Sequence, residues 1–222
     1  MRARFAMPAL ALAALPALLL QGIASADGVP SGGDASADAT TRTAFADLDG
    51  DGNAERITVD LVKADDPARQ RISAVIGGVA VSALTTADGW AGVQPVQVVD
   101  LNDDGRQEVV VKELVGANTD HYTAWGYHYG ALSPVTNGDD YTGAALRFHE
   151  GGGISALSYF GCEGEGAERK FKVASAVRAG FDGNYDGTVT SYRVENGIAK
   201  VTEQRAVTGS RSLFWMDARS CA

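Results

Sequence analysis

Two stretches of nine residues carry the clearest chemical pattern in the chain. The first is Asp47-Leu48-Asp49-Gly50-Asp51-Gly52-Asn53-Ala54-Glu55, and the second is Asp100-Leu101-Asn102-Asp103-Asp104-Gly105-Arg106-Gln107-Glu108. Both follow D-x-[DN]-x-D-G-x-x-E. Side chains at positions one, three and five of a tight loop can converge on one point. A glycine at position six permits the sharp turn, position seven offers a main-chain carbonyl, and a late carboxylate closes the shell. Such an all-oxygen donor set suits a hard cation, and Ca²⁺ takes roughly six to eight oxygens at about 2.3–2.6 Å. The expected ligands are Asp47, Asp49, Asp51, the Asn53 carbonyl and Glu55 in the first loop. In the second they are Asp100, Asn102, Asp104, the Arg106 carbonyl and Glu108. The alternative is a pair of acidic turns without metal, in which crowded carboxylates would repel one another. The side chains of Asp103 and Arg106 are expected to point into solvent.

An EF-hand opens with the same five-residue pattern but needs a glutamate at position twelve and flanking helices. Position twelve here is Thr58 or Val111, and the segments that follow, ERITV and EVVVK, are strand-like. A third stretch, Asp182 to Thr190, keeps positions one, three, five and six but lacks the closing carboxylate, so a Gly-rich turn is expected there. No catalytic set stands out. His121, His128 and His149 form no HxH or HExxH spacing. Gly153-Ile154-Ser155-Ala156-Leu157 lacks the second glycine of a nucleophile elbow. Glycoside hydrolysis needs only two suitably spaced carboxylates, so a secreted hydrolase acting on polysaccharide stays as an alternative.

The elements that must hold these loops are strands. Apolar residues recur with period two in ITVDLV, VQVV, EVVV, YTAWGY and VTSYRV, which are bounded by Gly, Asn and Asp. Gly77-Gly78, Tyr129-Gly130 and Asn196-Gly197 fit two-residue hairpin turns. A unit of strand, acidic loop, strand and hairpin runs from Thr43, recurs 53 residues later, and recurs in degenerate form from Ser158. The expected fold is all-β, built from about three antiparallel hairpin units like propeller blades. An open array, a ring completed by oligomerisation and a smaller β domain all fit that number, since a closed propeller typically has about 4–8 blades.

With those loops and flanking strands the chain resembles the FG-GAP/VCBS repeat proteins, closely over residues 43–135 and loosely over 154–205. The resemblance implies integrin-like propeller blades with calcium in the loops. It also implies a role in adhesion or ligand binding.

Residues 1–26 combine Arg2 and Arg4, an apolar run from Phe5 to Leu20 and Ala24-Ser25-Ala26, the layout of a secretory signal peptide. Residues 27–41 read as a flexible linker, and the folded domain is expected over 42–222. Without Arg2 and Arg4 the 19 basic residues become 17 against 28 acidic, a net charge of −11. That balance disfavours nucleic acid and anionic membranes as partners and suits cations, and no later segment is apolar enough for stable membrane insertion. Cys162 and Cys221 are the two cysteines, and in an exported chain they are expected to pair. The resulting expectation is a secreted, non-catalytic, calcium-binding β-repeat protein, located outside the cell or in its envelope, whose ligand is a glycan or a protein. A purely structural envelope protein is a third possibility. The strand from His121 to Tyr129 places Trp125, Tyr127 and Tyr129 on one face; an exposed ladder there would make a platform for sugar rings or a peptide, whereas Trp125 and Tyr127 are expected to fill space between packed sheets.

Overall fold

The computed structural model describes residues 40–62, 67–180 and 183–222, which belong to one compact unit, Ser36–Ala222. The expected signal peptide and nearly all of the expected linker lie outside the described residues.

The described chain is all-β, with antiparallel sheets made of consecutive hairpin strands and no complete ring of blades. A first meander of β1 (Thr41–Ala46), β2 (Glu55–Val62), β3 (Arg69–Ile76) and β4 (Val79–Thr86) forms a four-stranded sheet in that order. A second comprises β5 (Gln97–Val99), β6 (Glu108–Val115), β7 (Thr119–His128) and β8 (Ala131–Pro134). After the short β9 (Thr136–Asn137), β10 (Arg147–Gly152) pairs with β7 on one side and β11 on the other. The third meander is β11 (Ala156–Glu163), β12 (Lys170–Arg178), β13 (Tyr185–Glu195) and β14 (Ile198–Gly209). Strands β5 to β14 share one sheet, whose path ends where β9 pairs in parallel with the start of β14.

All three sequence-predicted turns form, with positive φ at both central residues: 55° and 81° at Gly77-Gly78, 53° and 82° at Tyr129-Gly130, 49° and 75° at Asn196-Gly197. Two-residue turns of this hand match the twist of the strands they join.

Strand β6 departs from the alternation seen elsewhere. Val109, Val110 and Val111 are all buried, because β6 and β7 separate two cores. On one side Val109, Val111 and Trp125 meet Ile57, Val59 and Ile72 of the first sheet. On the other, Val110, Tyr122 and Ala124 meet Phe148, Phe160 and Phe171, whose rings lie edge to face at 4.7 and 5.0 Å. A strand covered on both faces reads as a continuous apolar run.

One carboxylate lies inside this wall. Glu113 sits at a β-bulge in β6 and is 5% exposed. It accepts hydrogen bonds from the hydroxyls of Thr85 and Thr123 and from Arg147 Nε at 3.2 Å. Trp125 Nε1 in turn donates to Thr123 Oγ1 at 2.9 Å. The network ties β4, β6, β7 and β10 together.

Cys162, in β11, and Cys221 have their sulfurs within bonding distance and their Cα atoms 4.9 Å apart, the expected pairing. The junction is reinforced by the Cys162 amide, which donates to Ser220 Oγ at 2.7 Å, and by Arg169, which donates to the Ser220 carbonyl at 2.7 Å. A bridge over 59 residues constrains the unfolded chain by about 4 kcal/mol in the chain-entropy model. Urea unfolding of oxidised protein and of the Cys162→Ala/Cys221→Ala variant is expected to differ by that order. Coincident midpoints would contradict it.

Candidate metal centre

The first acidic loop joins β1 to β2 and the second joins β5 to β6, so each begins and ends on paired strands. Their backbones follow one course. Position four has positive φ in both, 79° at Gly50 and 57° at Asp103, and so does position six, 87° at Gly52 and 85° at Gly105. Glycine adopts this region freely, while aspartate is among the few other residues that tolerate it. Position two is a leucine in each, and Leu48 and Leu101 are both 1% exposed, one plugged into each core. The sequence motif treats that position as free, yet the apolar plug is what fixes the loop to the sheet.

The hydrogen bonds repeat as well. The position-one carboxylates accept main-chain amides of the turn: Asp47 from Gly50 at 2.7 Å and Gly52 at 2.8 Å, Asp100 from Asp104 at 3.3 Å and Gly105 at 3.0 Å. The position-five carboxylates accept from position seven, Asp51 from Asn53 at 2.7 Å and Asp104 from Arg106 at 2.9 Å. The closing glutamates accept the amide of position two, Glu55 from Leu48 at 2.8 Å and Glu108 from Leu101 at 3.0 Å. These bonds pre-set the directions in which the remaining oxygen lone pairs point.

In the first loop, Asp47, Asp49 and Glu55 each place a carboxylate oxygen within 4.8 Å of the others, a group able to hold a metal ion. Asp51 stands outside that trio, engaged with both the amide and the side chain of Asn53. Among the described residues, the carboxylates of the second loop, Asp100, Asp104 and Glu108, form no such group. Asn102 replaces the second aspartate and donates Nδ2 to Asp104 at 2.9 Å, and Arg106 pairs with Asp104 at 2.8 Å. Burial works to raise the Asp104 pKa, but the hydrogen bonds from Arg106 and Asn102 outweigh it and hold the carboxyl below its ordinary value.

Two features of the second loop fit a cation. The Oδ1 of Asn102 is buried without a hydrogen-bond partner, an arrangement that calls for an ion or water. Glu108 is 2% exposed. Burial first, then the charges of Asp100 and Asp104, push its pKa up to about 8 against the pull of the Leu101 amide and Arg106.

Asp103 is exposed, as the sequence suggests, and Arg106 is half-buried, but both have partners that the sequence does not reveal. Asp103 accepts the Gly166 amide at 2.5 Å and lies 3.5 Å from Arg169, tying the second loop to the third meander. Arg106 lies across the first loop, where a β-carbon on Gly50 would come within 2.7 Å of its Cγ. The two loops are also bonded directly: the Gln107 amide donates to the Asp47 carbonyl at 2.7 Å, and the Asp47 amide donates to Gln107 Oε1 at 2.8 Å. Neither contact has a local sequence signal. Of the third stretch, Asp182 lies outside the described residues, while Asp186 stands within β13 and accepts from Thr208 at 2.6 Å.

His128 was also missed. Both ring nitrogens are buried without partners, and burial, then the Arg106 charge, lowers its pKa. Its ring covers Gly126 and Gly197, where a β-carbon would collide with it. It is thus a neutral wedge between the β7–β8 and β13–β14 turns. Of the aromatic strand, Trp125 is 5% exposed and Tyr127 half-buried, as expected of core residues, whereas Tyr129 is 88% exposed.

Comparison of the chain with protein-family models, with curated proteins and with solved structures yields no match.

The raised Glu108 pKa fixes a sign for pH dependence. A carboxyl whose folded pKa lies above its unfolded value adds stability below the unfolded pKa, and that contribution is lost as pH rises through the folded one. In excess EGTA, wild type is expected to lose more thermal stability than Glu108→Gln between pH of about 5 and about 8. Parallel melting curves for the two proteins across that window would show that Glu108 ionises freely.

Proposed function

We propose that this chain is a secreted, calcium-stabilised β-repeat module that binds a ligand outside the cell or at its surface and has no catalytic role. The reading rests chiefly on one observation: two loops 53 residues apart share the same positive-φ positions and most of a hydrogen-bond scheme, and in the first of them Asp47, Asp49 and Glu55 converge. Calcium is preferred to magnesium because the donors are many, entirely oxygen and set in a loop. Magnesium demands near-octahedral geometry and keeps several of its waters. In the first site Asp47, Asp49 and Glu55 would hold the ion, with Asp51 and the Asn53 carbonyl completing the shell. In the second, Asp100, Asn102, Glu108 and the Arg106 carbonyl would do so, and Asp104 would divide its charge between the ion and Arg106.

Export is proposed from the three-part pattern of residues 1–26 and from the paired cysteines. The ligand-binding role is supported by the similarity to FG-GAP/VCBS repeats and by loops carried on a rigid sheet scaffold, the usual place for recognition. The non-catalytic reading is supported by the use of the patterned acids for loop closure.

Extracellular calcium modules bind in the range of about 10⁻⁴–10⁻³ M, so millimolar calcium adds roughly 0.4–1.4 kcal/mol per site. Melting in calcium is expected to exceed melting in EGTA, and Asp49→Ala combined with Asp104→Ala is expected to remove the difference. Identical melting of wild type under both conditions would sink the calcium assignment. Glycan-array and cell-wall pull-down binding tests the recognition role, and turnover of any glycan would overturn the non-catalytic one.

A further inference from the structure

Where β13 turns into β14, Arg193 and Lys200 stand directly opposite each other on the same face. Like charges in that position destabilise a strand pair. Neither side chain has a hydrogen-bond or ion-pair partner among the described residues. Among the residues that line the groove, Glu195, two residues along the same strand face, balances one of the two cations and leaves one in excess, in a chain whose formal charge is −9. The Asp139 carboxylate, next to the groove, is bonded to the Val201 amide. Both cations line a cavity of about 430 Å³ together with Glu195, Asn196 and Tyr129. An adjoining cavity of about 340 Å³ shares Arg193, Glu195 and Asn196 and reaches Arg106 of the second acidic loop.

Tyr129 is the second independent oddity. It is 88% exposed and holds φ 53° in its turn, where glycine or asparagine is the unstrained choice. Neither burial nor turn chemistry accounts for a tyrosine there, and exposed residues in sparsely populated backbone regions cluster at ligand sites. The His128 ring lies against Gly197, which places the Tyr129-Gly130 turn beside the Asn196-Gly197 turn, and Tyr129 lines one groove with Arg193 and Lys200.

We infer that this groove binds a uronate residue of an acidic polysaccharide, with the sugar ring on Tyr129 and the carboxylate on Arg193 and Lys200. A planar guanidinium matches a carboxylate in a bidentate fork. The phenol ring offers an apolar face for sugar C–H groups, and Glu195 and Asn196 offer acceptors and donors for hydroxyls. An extended peptide is disfavoured because the main chain beside the groove is already used. Ile198 and Ala199 pair with β13 on one side and β9 on the other. Beyond them, the Gly138 amide donates to the Ala199 carbonyl at 2.8 Å, and the Val201 amide donates to Asp139 at 2.7 Å. Strand addition is therefore closed there, and recognition falls to side chains.

The inference deepens the ligand-binding reading and does not depend on its calcium element. Titration calorimetry of the intact protein with oligogalacturonate, its neutral methyl ester, a sulfated oligosaccharide and polyglutamate, each in calcium and in EGTA, tests it. Oligogalacturonate is expected to bind at least tenfold more tightly than the other three. Arg193→Gln/Lys200→Gln is expected to weaken it tenfold or more, and so is Tyr129→Asn, which keeps a turn-compatible residue. Melting temperatures of these variants should match or exceed wild type, which separates loss of binding from loss of fold. Absence of oligogalacturonate binding, preference for the ester, sulfate or peptide, or full binding by both folded variants would overturn the assignment. A calcium-insensitive melt with oligogalacturonate binding intact would remove only the metal reading.

Discussion

The structure depends on covering both faces of β6 and β7. One face of this wall closes the core against the first sheet, and the other closes the core around Phe148, Phe160 and Phe171. A half-buried sheet can slide by two residues and still keep its apolar face inward. A wall packed on both sides has no such freedom, because every residue must satisfy a neighbour. Glu113 sharpens this constraint. Its carboxylate takes hydrogen bonds from β4, β7 and β10 at a bulge, so any slip would leave a buried charge without partners.

The acidic loops draw their geometry from the two cores that this wall separates. Leu48 and Leu101 each plug a loop into a core; the second loop leads into β6 of the wall and the first into β2 of the sheet that faces it. Through Gln107 and Asp47 the loops brace each other, and through Asp103 the second loop braces the third meander. The loop oxygens are therefore placed by packing, which would lower the ordering cost of the proposed cation binding.

Much of this was legible in the sequence wherever the physics is local. Glycine and asparagine marked the hairpin turns because positive φ excludes most other residues. The acidic loops were legible because their hydrogen bonds run between residues no more than seven apart. The unreadable parts are those decided by distant partners. Glu113 lies in a VVVKELV run where a charged residue ordinarily faces water, and its ligands come from three other strands. Asp103 and Arg106 look solvated until the third meander and the first loop arrive beside them. Strand β10, which splices the second and third meanders, has no counterpart in the repeat and so no pattern to betray it.

The amide of Asp100 donates to the carbonyl of Cys221 at 2.7 Å. Position one of the second loop is thus held by a residue that follows all three meanders in the chain. During synthesis β5 and β6 emerge long before that partner, so this anchor of the second loop forms only after the whole third meander has been made. A cut between β14 and Cys221 would release both this hydrogen bond and one half of the sulfur pair, leaving every strand in place while unsettling the acidic end of the molecule.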